Sequence, residues 1–223
     1  MIEKPFSQAC QNNRQPILEI LQSYLTVQSY LTEGATKSHY VHESLSRPVR
    51  VFEMGSGTGQ HAVYFGEHLP EVLWQCADLP VHHEGINAWI DEYTEKGFKN
   101  ITRPIAFDVN QSVWPQQKFN ALFTANTLHI MSWQSVEVFF SRIREILDTN
   151  CRVFIYGPFN YNGQFTSESN AQFDLWLKSQ NPHSGIRDFE AVADLAKTAR
   201  LHLLADHEMP ANNRLLVFGN TQR

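Results

Sequence analysis

Apolar positions recur along the chain with two different periods. Over residues 13–31, Ile17, Leu18, Leu21 and Leu25 stand at helical spacing, and Pro16 suits a first turn, so the pattern predicts an amphipathic helix. Residues 32–48 are polar and aperiodic and read as a surface linker. From Val49 onward the pattern becomes regular. Val49–Met54 is a short apolar run ending at glycines, the mark of a buried strand, and Gln60–Leu69 reads as a helix. Further strands are expected at Val72–Ala77, Ile101–Phe107, Phe119–Thr124 and Arg152–Tyr156. Helices are expected at His83–Phe98, where Ile86, Trp89, Ile90 and Tyr93 share a face, and at Ser135–Leu147, where Val136, Phe139, Phe140, Ile143 and Leu147 form one stripe. Beyond a Gly/Asn/Ser-rich stretch ending at Asn170, Ala171–Ser179 and Phe189–Ala199 are again helical candidates. Two extended runs, Leu201–His207 and Arg214–Gly219, close the chain around the turn-forming Met209-Pro210-Ala211-Asn212-Asn213.

Five strands alternating with helices predict an α/β fold with a parallel sheet covered on both faces. The last two runs lie too close together for a crossover helix, so they are expected to pair antiparallel at one edge of a seven-stranded, mostly parallel sheet. At 223 residues the chain suits one domain and is short for two, which divides it into a helical lid over 1–31, a linker over 32–48 and a core over 49–223.

Composition narrows the partners. Net charge is −5, with no run of Lys or Arg, so a nucleic-acid substrate is not expected. The polar opening segment lacks the apolar core of a secretory signal, and no stretch of about 18 apolar residues exists to span a membrane. The three cysteines, Cys10, Cys76 and Cys151, form no CxxC pair and read as reduced thiols, so the expected compartment is the cytoplasm. Ten histidines include no HExxH, and no metal is expected.

The chemistry gathers at strand ends. Glu53-Met54-Gly55-Ser56-Gly57-Thr58-Gly59 follows the first strand and opens a helix, where glycines allow a tight turn and close approach of a ligand. A dinucleotide fingerprint GxGxxG would need glycine where this chain has Gln60. Glu53 sits poorly against a pyrophosphate but suits a ligand bearing an amino group and a sulfonium. Asp78 ends the second strand about 20 residues past the loop, where an acid can accept from both ribose hydroxyls; the alternative is a solvated Asp starting a turn before Pro80. Asp108 follows the third strand and can accept from an adenine amino group while Phe107 or Val109 covers the ring; alone it would be an ordinary loop residue. Three acids after three successive strands, at the edge where open α/β sheets bind ligands, are harder to dismiss together.

After the fourth strand, Asn126-Thr127-Leu128-His129 lacks the Asn/Asp-Pro-Pro-aromatic loop of amino-methylating enzymes, and no Pro-Cys nucleophile is present. His129 reads first as a helix-start histidine bonded to backbone, with a general base as the alternative. Arg14 and Arg187 are candidates to hold a carboxylate or to be surface arginines. Tyr156, Tyr161, Asn212 and Asn213 are polar candidates for acceptor contact or for turns and packing, with Tyr161 a second, weak catalytic candidate beside His129.

Taken together, Glu53 to Ala62, Trp74-Gln75, Asn126-Thr127-Leu128-His129-Ile130, Gly157-Pro158-Phe159, Ser169-Asn170 with Phe173-Asp174, Gly185-Ile186-Arg187-Asp188 and Met209 to Asn213 resemble the family catalogued as domain of unknown function 938, also called the methyltransferase-like 26 group. Asn13-Arg14-Gln15-Pro16-Ile17-Leu18 resembles its amino-terminal segment, so the likeness runs nearly the whole length. The glycine loop points only to a superfamily, whereas the Gly-Ile-Arg-Asp and Met-Pro-Ala-Asn-Asn segments are much more specific. The chain departs from the family between Leu25 and Pro48, where its link is longer and more polar. The resemblance implies a class I methyltransferase fold, a Rossmann-like three-layer sandwich, with S-adenosylmethionine as cofactor. It implies Gly55, Gly57 and Gly59 along the methionine half, Asp78 at the ribose and Asp108 at the adenine, with Glu53, Ser56, Val109, Asn126 and Arg14 as further cofactor-binding candidates. A small-molecule acceptor is expected, walled by the amino-terminal helix and the 126–133, 157–170 and 184–188 segments. A nicotinamide-dependent oxidoreductase and a non-catalytic module binding a protein partner are the competing readings.

Overall fold

The structure is a computed structural model that describes residues 4–25, 48–110 and 113–220. The expected extension of the first helix to residue 31 and the linker over 32–47 lie outside the described residues.

Helix α1 runs Gln8–Leu25. It is followed by β1 (Val49–Met54), α2 (Gln60–His68), β2 (Val72–Asp78), α3 (His83–Glu95), β3 (Ile101–Ala106) and β4 (Phe119–Ala125). Then come α4 (Trp133–Arg142), β5 (Leu147–Gly157), β6 (Phe159–Asn160), α5 (Glu168–Gln180), β7 (Arg187–Asp188) and α6 (Phe189–Thr198). The chain closes with β8 (His202–Met209) and β9 (Asn213–Gly219). The main sheet has seven strands in the order β3-β2-β1-β4-β5-β9-β8. β3, β2, β1, β4 and β5 pair in parallel, and β9 runs antiparallel between β5 and β8. The expected hairpin is therefore present, with its second strand inserted next to β5 and its first at the edge.

Strand alternation sends successive side chains to opposite layers. Phe52, Leu122, Val153, Ile155, Leu216 and Phe218 pack against Val136, Phe139 and Phe140 of α4 and Val192 and Ala196 of α6. Val51, Trp74, Phe123, Phe154, Leu215 and Val217 meet Ile17 and Leu21 of α1, Phe65 of α2 and Ile86 and Ile90 of α3. With helices on both faces, the central strands β1, β4 and β5 are mostly apolar, which is why they read as short apolar runs.

Three boundaries differ from the pattern reading. α1 begins at Gln8, so Pro16 sits inside the helix and not in its first turn. Proline there removes one intrahelical donor, and burial of Ile17, Leu18, Leu21 and Leu25 offsets the loss. α4 stops at Arg142; a short 3-10 turn carries the buried Ile143, and Leu147 belongs to β5, paired with Phe119. Finally, β6 and β7 form a two-stranded parallel sheet of their own, too short for any periodicity to register.

Phe65 is fully buried, with its ring centroid 5.5 Å from Trp74 and 5.4 Å from Phe123. Phe65→Ala is expected to destabilise the fold by about 3–5 kcal/mol, read as a lowered urea midpoint with an unchanged slope.

Candidate functional site

The carboxyl ends of β1, β2, β3 and β4 open onto one cavity of about 1070 Å3. Its first wall is the loop after β1. Gly55 and Gly57 adopt φ of 74° and 57°, in the left-handed region that favours glycine. A Cβ on Gly55 would come within 2.7 Å of the Thr127 Oγ1, so that glycine lets the loop after β4 approach. A Cβ on Gly57 would meet nothing nearer than the Gly55 carbonyl at 4.0 Å, which leaves its open side to the cavity.

Asp78 ties this loop to β2. Its carboxylate accepts from Gly57 N–H at 2.6 Å and from Leu79 N–H at 2.7 Å, one bond on each oxygen. A carboxylate offers about four lone-pair positions, so both oxygens keep acceptor capacity toward the cavity they line. His82 Nε2 stands 3.9 Å from the same carboxylate. Beyond β3, Asp108 accepts from Asn110 N–H at 2.8 Å and lines the cavity between the buried Phe107 and Val109. Beyond β4, Asn126 holds a left-handed φ of 56° and also faces in. Such a conformation is costly for a residue with a Cβ and persists where the surroundings enforce it; here Asn126 N–H donates to the Tyr156 carbonyl at 2.9 Å.

Thus Gly55, Ser56, Gly57, Asp78, Asp108, Val109, Asn126 and His129 meet at one cavity, whereas Glu53, Gly59, Arg14, Tyr161, Arg187 and Asn212 do not line it. Glu53 turns into the core, where its carboxylate accepts from the Trp74 indole N–H at 3.0 Å. Burial pushes its pKa up to about 7, with repulsion from Asp78 adding to the effect. Gly59 packs on α3, where a Cβ would lie 3.1 Å from Ile86 Cα. Arg14 lies away from the cavity, its guanidinium 4.2 Å from the Tyr64 ring centre, because its position on α1 faces α2. Tyr161 is likewise a correction: its hydroxyl donates to Asp206 at 2.7 Å, outside the cavity.

His129 stands on the cavity wall, 5% exposed, in the turn before α4. The reading of a backbone-bonded ring does not hold: the backbone carbonyl of His129 accepts from Gly185 N–H, while among the described residues the ring meets Phe173 edge-on at 5.4 Å. Four successive carbonyls are in fact held by the 184–187 segment. Arg187 Nε donates to the Leu128 carbonyl at 3.0 Å, Gly185 N–H to His129 at 2.9 Å, Ser184 Oγ to Ile130 at 2.8 Å, and the Arg187 guanidinium also bonds the Met131 carbonyl. Arg187 is therefore a brace for the His129 turn, and its guanidinium is spent on carbonyls.

The far wall was only partly visible in the sequence. Cys10 and Asn13 of α1, with His61 of α2 and Tyr156 of β5, also line the cavity. His61 Nε2 donates to Asn13 Oδ1 at 2.7 Å. Asn13 continues the Ile17–Leu21 stripe one turn back, which is the signal that could have found it. Phe173 and Trp176 of α5 and Pro210, Ala211 and Asn213 of the β8–β9 turn complete the rim. The expected 184–188 wall braces the cavity without lining it. Among the described residues no His/Cys/Asp/Glu group is arranged to hold a metal ion, and no helix is long and apolar enough to cross a membrane.

This arrangement of sheet and strand-end loops is shared with solved methyltransferases. An O-methyltransferase family 2 protein from Planctomyces limnophilus, solved in complex with apigenin, is similar at a TM-score of 0.69 and 13% identity, covering 94% of this chain and 62% of that one. An O-methyltransferase family protein from Burkholderia thailandensis gives 0.66 at 14% identity, covering 94% of this chain and 58% of that one. The S-adenosylmethionine-dependent methyltransferase SibL in its apo form gives 0.66 at 15% identity, with 94% and 70% covered. The chain thus spans less than two thirds of the length of the Planctomyces and Burkholderia proteins. The fold is the Rossmann-like fold of these methyltransferases. The family model described as "Protein of unknown function (DUF938)" matches residues 4–220, and the chain belongs to that family.

Burial lowers the pKa of His61 and of His129 to about 4, helped in each case by a nearby arginine, Arg14 and Arg187 respectively. Both folded values lie below the ordinary 6.5, so the two rings contribute stability in full above about 6.5 and lose it as pH falls toward 4. Glu53 acts in the opposite sense, since its folded value of about 7 exceeds the ordinary 4.5 and its contribution declines as pH rises between them. His61→Gln is therefore expected to flatten the fall of Tm on acidification from 6.5 to about 4. An unchanged slope would contradict the buried neutral state of this ring.

Proposed function

We propose that this chain is an S-adenosylmethionine-dependent methyltransferase acting on a small-molecule acceptor. The observation that carries the reading is the convergence of the glycine loop, Asp78, Asp108 and Asn126, from the ends of four strands, on one cavity. The likeness to the methyltransferase-like 26 group belongs to the same reading.

The residues present fit that cofactor. Asp78 keeps acceptor positions on both carboxylate oxygens, as paired ribose hydroxyls require. The open side of Gly57 admits a ligand close to the backbone, and Gly55, Ser56 and Asn126, which line the cavity, would face the methionine half. Asp108 would accept from the adenine amino group, with Phe107 and Val109 as apolar cover. When bound, the cofactor supplies a methyl group on a sulfonium, already activated for displacement. The chain's own work is then to align the acceptor and to keep water out. His129, neutral above about pH 4, stands on the wall as the candidate to take a proton from the acceptor. Ligand pockets are commonly about 300–1,000 Å3, so a cavity of about 1070 Å3 leaves room for an acceptor beside the cofactor.

Calorimetric titration with S-adenosylmethionine, S-adenosylhomocysteine and NADH tests the reading. The first two are expected to bind and NADH to stay silent. Asp78→Ala is expected to weaken both by at least about tenfold, or ~1.4 kcal/mol. Unchanged affinity in that variant would remove the ribose assignment, and silence with all three ligands would overturn the proposal in favour of a partner-binding module.

A further inference from the structure

The cavity is chemically uneven along the sheet edge. Asp78 ends β2 and Asp108 follows β3, whereas Tyr156 belongs to β5 and Asn213 to β9. From β2 to β5 is three strand spacings, about 14 Å at ~4.8 Å each. Among the described residues lining the cavity there is no Lys or Arg, and its two carboxylates are Asp78 and Asp108, at the β2–β3 end. Toward β5 and β9 the lining polar side chains include Asn13, Tyr156, Asn170 and Asn213, all neutral; the Asn170 and Asn213 amide groups already donate to backbone carbonyls, so these two would serve a ligand through their Oδ1 acceptors. Arg14 and Arg214, each next in sequence to a lining residue, are engaged elsewhere, Arg14 on the Tyr64 ring and Arg214 on the carboxylates of Asp206 and Glu208, and Arg187 is held by backbone carbonyls.

The same end has a flat apolar wall. Phe173 and Trp176 lie one helical turn apart on α5 with rings 5.7 Å apart and 13° from parallel, and Trp176 remains 56% exposed. Ile130, also exposed, is on the cavity wall, and His129 meets Phe173 from the side.

From this distribution we infer that the β4–β5–β9 end of the cavity takes an uncharged, planar, aromatic-bodied acceptor carrying a hydroxyl-type group. The inference rests on the methyltransferase reading and names its substrate class. An anion moved from water to this end finds no cation to pair with, and leaving a charge unpaired there is costly. A protonated amine finds no carboxylate and has no lone pair to methylate. A planar ring, in contrast, gains offset stacking on Phe173 and Trp176, and its hydroxyl meets amide and phenol partners.

Three probes with one ring system separate these cases: naphthol, naphthoate and naphthylmethylamine, the last as its ammonium ion at neutral pH. Each is titrated calorimetrically into the protein saturated with S-adenosylhomocysteine. Naphthol is expected to bind at least about tenfold more tightly than either charged probe. Phe173→Ala is expected to weaken naphthol by about tenfold while leaving S-adenosylhomocysteine affinity unchanged. Equal or tighter binding of naphthoate or the ammonium, absence of naphthol binding, or indifference of naphthol to Phe173→Ala would overturn this inference alone. Failure of S-adenosylhomocysteine itself to bind would overturn it together with the reading on which it rests.

Discussion

The chain leaves the central strand β1 and must reverse before α2, and the Ala77 carbonyl closes that reversal by accepting both Gly55 N–H at 2.9 Å and Ser56 N–H at 3.2 Å. The bond is returned: Ala77 N–H donates to Ser56 Oγ at 3.1 Å, and the next residue, Asp78, takes the Gly57 N–H. The loop after β1 and the end of β2 therefore define one another through four bonds, two of them to the same carbonyl. Neither side can move without breaking these bonds, and leaving the buried groups of Ala77 and Ser56 unpaired is expensive. This lock positions the Asp78 carboxylate, the open side of Gly57 and, through the gap at Gly55, the Thr127 side chain. A ligand arriving there meets groups already ordered by the fold, so little of its binding energy is spent on ordering them.

The lock also explains why Glu53 lies beneath the loop instead of facing the cavity. On a strand with alternating sides, Phe52 and Met54 enter one layer while Val51 and Glu53 enter the other. Glu53 is therefore committed to the α1–α2–α3 layer, where the Trp74 indole is its donor. Burial and the neighbouring Asp78 both oppose its ionisation. An acid at this position supports the floor of the cavity, and any effect it has on a cationic ligand acts through the loop and not by contact.

The legible part of this molecule was the part governed by period. Parallel strands covered on both faces gave short, mostly apolar runs, and α3 and α4 showed clear stripes, so the strand–helix alternation could be read directly. The acids at strand ends were legible because a doubly covered sheet places its ligand at one edge. What escaped was set by tertiary partners. The first two turns of α1 face a cavity and not the core, so Cys10 and Asn13 broke the apolar stripe that marks the rest of the helix. Leu147 fitted a helical stripe equally well, and only its pairing with Phe119 decides for the strand. Arg14 and Arg187 looked alike as candidate carboxylate clamps, since a sequence does not reveal whether an aromatic ring or a row of carbonyls already occupies a guanidinium.

Two of the segments that carry the resemblance to the DUF938 family also have a location in common. Gly185-Ile186-Arg187-Asp188, with Ser184, braces the four carbonyls from Leu128 to Met131 and so fixes the turn that carries His129 and Ile130. Met209-Pro210-Ala211-Asn212-Asn213 bends through two left-handed residues, Ala211 at φ 58° and Asn212 at φ 56°, to bring Pro210, Ala211 and Asn213 to the rim. Left-handed backbone at a residue with a Cβ costs on the order of 1–3 kcal/mol, so this turn is retained against its own strain. Both segments shape the β4–β5–β9 end. The glycine loop and Asp78, which point only to the broad superfamily, shape the other. If the first end holds the acceptor and the second the cofactor, the division follows from chemistry: the cofactor end need not differ from one methyltransferase to the next, whereas each acceptor requires its own wall. The strain and hydrogen bonding invested in these two segments are then what specify the acceptor.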